Sequence, residues 1–126
     1  MSTTKINISN RKIIAEMILV NPSDTTINNI YSSIIDTGSV ESLISVKIIN
    51  DLKLPKSGDF VTTVDMYGTE VTSDRYKCYI LFNGHIKTFE MNIGIIHRKD
   101  VDLIIGMDIL ELIDINIKGN LFTINI

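Results

Sequence analysis

The sequence has little of several things, and each shortage narrows what it can be. It holds one cysteine, Cys78, in 126 residues, so no disulfide framework forms within the chain, and the composition fits a reducing compartment. It has no tryptophan, four tyrosines and four phenylalanines, and these are not interleaved with basic residues. The formal net charge is −3, with no long run of one sign. A basic nucleic-acid surface is therefore not expected. Two histidines, His85 and His97, are too few and too isolated to build a metal site; turn and loop positions explain them. The acidic residues Asp100, Asp102 and Asp108 lack the spacing and central glycine of a calcium loop, and there is no glycine-rich phosphate loop. No stretch approaches the roughly 20 apolar residues of a membrane helix. The most apolar early stretch, Ile13 to Val20, is broken by Glu16, and Met1-Ser2-Thr3-Thr4-Lys5 is not followed by an apolar run of signal-peptide length. The expectation is a soluble, cytoplasmic protein with no cofactor, no metal, no nucleic-acid partner and no membrane contact, either free-standing or cut from a longer polyprotein.

What the chain does have is apolar material. Its hydrophobic fraction is 44% and its charged fraction 21%, which supports a real core in one domain spanning residues 1–126. Isoleucine is abundant, and β-branched side chains favour strands. Lys5 to Ser9 alternates with period two. Ile13 to Val20 and Ile27 to Ile35 are strand candidates separated by the turn cluster Asn21-Pro22-Ser23-Asp24. Ser45 to Leu52 predicts a helix with Ser45 as N-cap, an apolar face of Val46, Ile49 and Leu52, and a stop at Leu54-Pro55. Phe60 to Met66 and Glu70 to Phe82 are strands flanking a turn at Tyr67-Gly68. Asn83-Gly84 is the strongest hairpin signal, predicted to join Tyr76–Phe82 to Ile86–Ile95. After the polar loop His97-Arg98-Lys99-Asp100 come a short buried strand, Val101 to Ile105, and a short helix, Met107 to Leu112. Asp114 to Ile117 and Leu121 to Ile126 form a closing hairpin around Lys118-Gly119-Asn120. The sum is a mostly β domain, a small barrel or sandwich with one or two short helices.

One motif carries chemistry. Ile34-Ile35-Asp36-Thr37-Gly38-Ser39 puts an acid directly after an apolar strand, inside a tight turn. Asp36 leaves the sheet at a fixed place, Thr37 offers a hydroxyl to brace the turn, and Gly38 admits backbone angles that a side chain would forbid. By itself this is also how an ordinary strand-ending turn reads. A second motif changes the weighing: Ile104-Ile105-Gly106-Met107-Asp108-Ile109-Leu110 is an apolar strand, then Gly-x-Asp, then a short apolar helix, with Gly106 seventy residues after Asp36.

The pair of motifs, in this order and with a hairpin between them, resembles the retropepsin-like aspartic proteases, the retroviral and retrotransposon proteases and their cellular and bacterial relatives. The resemblance runs from about Ile13 to the C-terminus. It implies a small closed barrel of the retropepsin type and an aspartic endopeptidase, with Asp36 catalytic and Thr37, Gly38 and Ser39 supporting it. It implies that Ile105 packs beside the catalytic turn, that Gly106 permits close backbone approach, and that Asp108 is structural, bonded to nearby amides. Met66, Tyr67, Gly68 and Thr69 fall where the substrate-covering flap belongs. Retroviral enzymes often carry an acid two residues after the first glycine and a base just after the second; here those positions are Val40 and Met107, both apolar, and the flap is not glycine-rich.

The chemistry needs two facing carboxylates, and the chain has one Asp-Thr-Gly. No context around Asp102, Asp108 or Asp114 repeats that turn. A C2 homodimer supplies the second Asp36 across its axis, with Thr37 bracing the paired turns, as the resemblance implies. Leu121 to Ile126 is read either as a strand pairing between subunits or as one paired within the chain. Ser39 is a candidate donor to the catalytic carboxylate. Cys78 has no cysteine-protease signature around it and reads as a core or surface thiol. The alternative to an active peptidase is an inactive module of the same fold that dimerises or binds peptides.

Overall fold

The computed structural model describes residues 2–64 and 66–126. Asp65, which falls inside the predicted strand Phe60 to Met66, lies outside the described residues. In chain order the elements are β1 (Thr3–Asn7), β2 (Ile14–Val20), β3 (Asn28–Ile35), β4 (Leu43–Ile44), α1 (Val46–Leu52), β5 (Lys56–Val64), β6 (Glu70–Phe82), β7 (Phe89–Ile95), β8 (Leu103–Ile105), α2 (Met107–Leu110), β9 (Asp114–Lys118) and β10 (Leu121–Asn125).

Strands β2, β3, β8, β4, β7 and β6 follow one another in hydrogen-bonded order, and β6 returns to β2 to close a six-stranded barrel. Closure removes the exposed edges that an open sheet would leave. The inner face follows the period-two rule: Ala15, Met17 and Leu19 of β2 point inward, with Cys78 and Ile80 of β6, Ile93 of β7 and Leu103 and Ile105 of β8. The pairing of β3 with β8 is parallel, Ile34 to Ile104 and Ile35 to Ile105. Strand β4, too short to carry a pattern of its own, lies parallel to β7 and antiparallel to β8.

The Asn83-Gly84 hairpin does not form as predicted. Gly84 takes a positive φ of 89°, yet β6 parts from β7 at the pair Ile80–Phe89. Leu81 and Phe82 instead pair with Ile18 and Met17 of β2. The tight turn itself forms, with His85 N–H donating to the Phe82 carbonyl at 3.0 Å, but barrel closure claims the residues that would have paired across it, so a longer connection leads from the turn to β7. His85 in that loop is buried, with one ring nitrogen on the Ser2 hydroxyl and the other on the Thr4 hydroxyl, which ties β1 to the barrel.

Helix α1 starts at the predicted cap: Ser45 Oγ accepts from Ile48 N–H at 3.3 Å. Its buried face is Ile48, Ile49 and Leu52, while Val46 points to solvent. The second helix is shorter than expected and ends at Leu110. Strands β1, β10 and β9 form a separate antiparallel sheet with β10 in the middle. Both hydrogen-bonding edges of β10 are therefore used within the chain, which decides between the two readings of Leu121 to Ile126 in favour of intramolecular pairing. Phe122 and Ile124 pack its inner face into the core.

Candidate active site

The two motifs meet because β3 and β8 are neighbours. Where the ladder ends, Asp36 N–H donates to the Ile105 carbonyl at 2.9 Å. The chain then turns, and Ser39 N–H closes the turn onto the Asp36 carbonyl at 3.1 Å. Ile35 and Ile105 are buried, and Asp36 is partly exposed. The carboxylate thus stands at the boundary between an apolar floor and solvent. Gly38 N–H donates to Asp36 Oδ1 at 2.9 Å and fixes its orientation.

Three details of this turn differ from the sequence-based expectation. Gly38 is not in the left-handed region; a Cβ there would instead lie 3.2 Å from Asp36 Oδ1, so glycine leaves room for the carboxylate. The Ser39 hydroxyl donates to the Glu41 carbonyl at 2.7 Å, so its proton is committed to the loop backbone and not to Asp36. The turn is braced by the two backbone bonds above, while Thr37 is exposed and its hydroxyl has no partner among the described residues of its own chain.

The second motif grips the loop from behind. Met107 N–H donates to the Ser39 carbonyl at 2.8 Å and Asp108 N–H to the Val40 carbonyl at 3.2 Å. Asp108 accepts from Ser42 twice, from N–H at 2.9 Å and from the hydroxyl at 2.6 Å. The same Ser42 oxygen accepts from Gly106 N–H at 3.0 Å. Gly106 is a position where only hydrogen fits: a Cβ would lie 2.6 Å from the Glu41 carbonyl oxygen and 2.7 Å from that of Ser39. Both oxygens of Asp108 are occupied by Ser42, so it has a bracing geometry. Val40 is 79% exposed, a large apolar side chain beside Thr37 and Gly38 with nothing over it. Ser42, buried and joining both motifs, was not singled out by sequence reasoning; its only signal was that a partly buried Asp108 needs a donor.

The flap is the distal part of the β5–β6 hairpin, paired from Phe60–Asp74 up to Val64–Glu70. Gly68 turns its tip with a φ of 78°. Met66 and Tyr67 are 87% and 85% exposed, and Phe60 and Val64 are exposed too. Such a run of exposed apolar surface is unusual unless something is to cover it. Between the flap stem and the barrel lies a groove of about 240 Å³, lined by Glu41, Leu43, Val61, Ser73, Asp74, Gly94, Ile95 and His97. It begins at the end of the Asp36 loop and has a floor of Leu43, Val61 and Ile95.

Other residues weighed in the sequence lie apart from this arrangement. Cys78 is buried in the barrel, and burial pushes its thiol up to about 12, so it is no nucleophile. Asp114 belongs to the separate sheet. Among the described residues no group of three His, Cys, Asp or Glu could hold a metal ion, and no helix is long and apolar enough to cross a membrane.

A carboxylate fixed at the end of a buried strand and braced by a Gly-x-Asp segment is the kind of group that acid–base chemistry uses when a second carboxyl faces it. Comparison with known proteins agrees with that geometry. The family described as retroviral aspartyl protease matches residues 2–125. A solved retropepsin-like aspartic protease from Rickettsia conorii superposes with a TM-score of 0.71 at 13% identity, covering 98% of this chain and 90% of that one. No curated protein matches the chain. With the family matched over nearly its whole length, the chain belongs to the retroviral aspartyl proteases.

Proposed function

We propose that the chain is an aspartic endopeptidase that works as a C2 homodimer, with the two Asp36 carboxylates facing each other across the axis. The observation that carries this reading is the braced Asp36 turn, present once per chain, with its carboxylate aligned by Gly38 and its face open to solvent. Two carboxylates held about 3 Å apart share one proton, because both cannot ionise easily. The ionised member takes a proton from a water, which attacks the scissile carbonyl. The protonated member polarises that carbonyl and then helps the amine leave. The titrations belong to the pair, so a monomer has no such chemistry. The exposed Thr37 hydroxyl and the uncovered Val40 lie where a second copy would meet the turn. The substrate in this reading is an extended peptide lying beneath the flap. The groove floored by Leu43, Val61 and Ile95 takes one of its side chains.

The test is peptide cleavage by the wild type and by Asp36→Asn, with sedimentation to follow assembly. Cleavage should fall by about a thousand-fold or more while fold and dimer persist. Equal cleavage by the variant would remove Asp36 from the mechanism. A folded wild-type dimer with no turnover from acidic to neutral pH, and no affinity for a statine-type mimic of the tetrahedral intermediate, would make the protein a peptide-binding or dimerisation module instead.

A further inference from the structure

One charged pair links the catalytic loop to a distant part of the fold. The backbone of Glu41 is set by the loop: its carbonyl accepts the Ser39 hydroxyl and lies against Gly106. Its side chain leaves the loop, and Oε1 accepts from Arg75 Nη2 at 2.6 Å. Arg75 stands at a particular place on β6. Pairing of β6 with β7 starts at Tyr76, and from Asp74 to Glu70 β6 pairs with β5 alone. Arg75 is therefore where the flap leaves the barrel as a two-stranded ribbon. On the opposite strand the register slips between Lys56 and Phe60, around Gly58 with its φ of 91°. An irregular ribbon root of this kind is a hinge, since a lone two-stranded hairpin is marginally stable and easily tilted.

Arg75 spans that hinge. Its Nη1 donates to the Asn92 carbonyl of β7 at 3.2 Å, while Asn92 Nδ2 donates to Asp59 Oδ2 in the bulged part of β5 at 3.1 Å. The Arg75 side chain is 19% exposed. Most exposed ion pairs contribute little, but a planar guanidinium holding two acceptors on two different elements also fixes direction.

We infer that Glu41 and Arg75 are a positioning pair that sets the angle of the flap stem against the catalytic turn, and so sets how tightly extended peptide is held. Neither side chain touches reacting atoms. The inference rests on the protease reading, and it predicts an effect on KM more than on kcat.

The experiment compares wild type with Glu41→Gln, Arg75→Gln, the double variant and the exchanged pair Glu41→Arg with Arg75→Glu. Peptide kinetics give kcat and KM, and hydrogen exchange of the flap amides follows the hinge without needing turnover. Each single variant should raise KM about ten-fold, from the loss of one charge-assisted bond, with kcat held within about three-fold. The double variant should be no worse than either single, the exchanged pair should recover much of the loss, and flap exchange should quicken in the singles. KM within two-fold of wild type together with unchanged flap exchange would overturn the inference, as would a fall in kcat at constant KM. If the wild type itself turns nothing over, the protease reading fails, and flap exchange still decides whether the pair sets the hinge. Glu41→Gln is nearly isosteric, so it carries the test if an arginine variant does not fold.

Discussion

Gly106→Ala is the substitution whose consequence can be worked most fully from the structure. A Cβ at this position would meet two backbone oxygens, at 2.6 Å on Glu41 and 2.7 Å on Ser39. Carbon and oxygen normally approach to about 3.3 Å, so the loop must withdraw by about 0.7 Å. Neither obstacle is a side chain that can rotate away. Overpacking of this kind costs about 1–3 kcal/mol. The withdrawal also stretches the Met107–Ser39, Asp108–Val40 and Gly106–Ser42 bonds, each contributing about 1 kcal/mol net. Alanine returns somewhat under about 1 kcal/mol by restricting the unfolded chain. The balance is a loss of about 3–4 kcal/mol. At about 2.1 cal/mol/K per residue, the unfolding entropy is near 0.26 kcal/mol/K, so melting should drop by about 12–15 °C. Gly38→Ala is the control. Its Cβ would meet only Asp36 Oδ1, at 3.2 Å, so melting should move by less than about 4 °C. Its cost falls on the direction of the carboxylate, and cleavage should drop about ten-fold. Thermal unfolding by circular dichroism checks both. If Gly106→Ala melts within about 4 °C of wild type, or less far below it than Gly38→Ala, the backbone-approach argument is wrong.

Other expectations follow from the same geometry. Asn21 is buried, with Nδ2 donating to the Leu52 and Lys53 carbonyls at the end of α1 and Oδ1 accepting from Ser23 and Asp24 N–H. Asn21→Ala should cost about 2–4 kcal/mol, read as a lower denaturation midpoint at unchanged slope. Lys53 caps α1 with a φ of 51°, so Lys53→Gly should raise melting by about 2–4 °C, the left-handed penalty less glycine's extra chain entropy; a lower melting temperature would refute this. Burial raises the Cys78 thiol from an ordinary 9.0 to about 12. Its neutral form therefore stabilises the fold fully below about pH 9, and that contribution is lost as pH rises toward 12. The native protein should resist a thiol-labelling reagent at pH 8 and react once unfolded; stoichiometric labelling of the folded state would contradict the buried placement.

How much of this was readable in the sequence depended on the distance over which each decision was taken. The Ser45 cap, the turn at Asn21 and the strand leading into Asp36 are local choices, and local propensity anticipates them. Asn83-Gly84 has strong local chemistry too, but β2 recruits Leu81 and Phe82 to close the barrel, and tertiary pairing prevails. The two-residue strand β4 is a strand only because β7 and β8 flank it. At the site, Gly106 was legible because the resemblance to the retropepsin-like proteases implies close backbone approach there. Ser42 with Asp108, 66 residues apart, and Glu41 with Arg75, 34 apart, are pairings that no window of sequence contains. The Ser39 hydroxyl was assigned to the wrong acceptor for a related reason: a short side chain in a turn has several carbonyls within reach, and the loop's path selects the one on Glu41.

The bracing of the turn bears on how a half-site can exist in one chain. Every backbone bond that shapes residues 36–42 is made within the chain, to Ile105, to the turn itself, or to residues 106–108. The loop's backbone bonds are therefore already partnered within one chain. In the proposed dimer, association would join two preformed turns, so little of the association energy would go into ordering them. Among the exposed side chains are Thr37 and Val40 at the turn and Met66 and Tyr67 on the β5–β6 hairpin. In the proposed reading they divide into a group for a second copy and a group for substrate. Variants at Val40 should thus weaken assembly and those at Met66 should weaken peptide binding, and the loop's internal bonds should be indifferent to both.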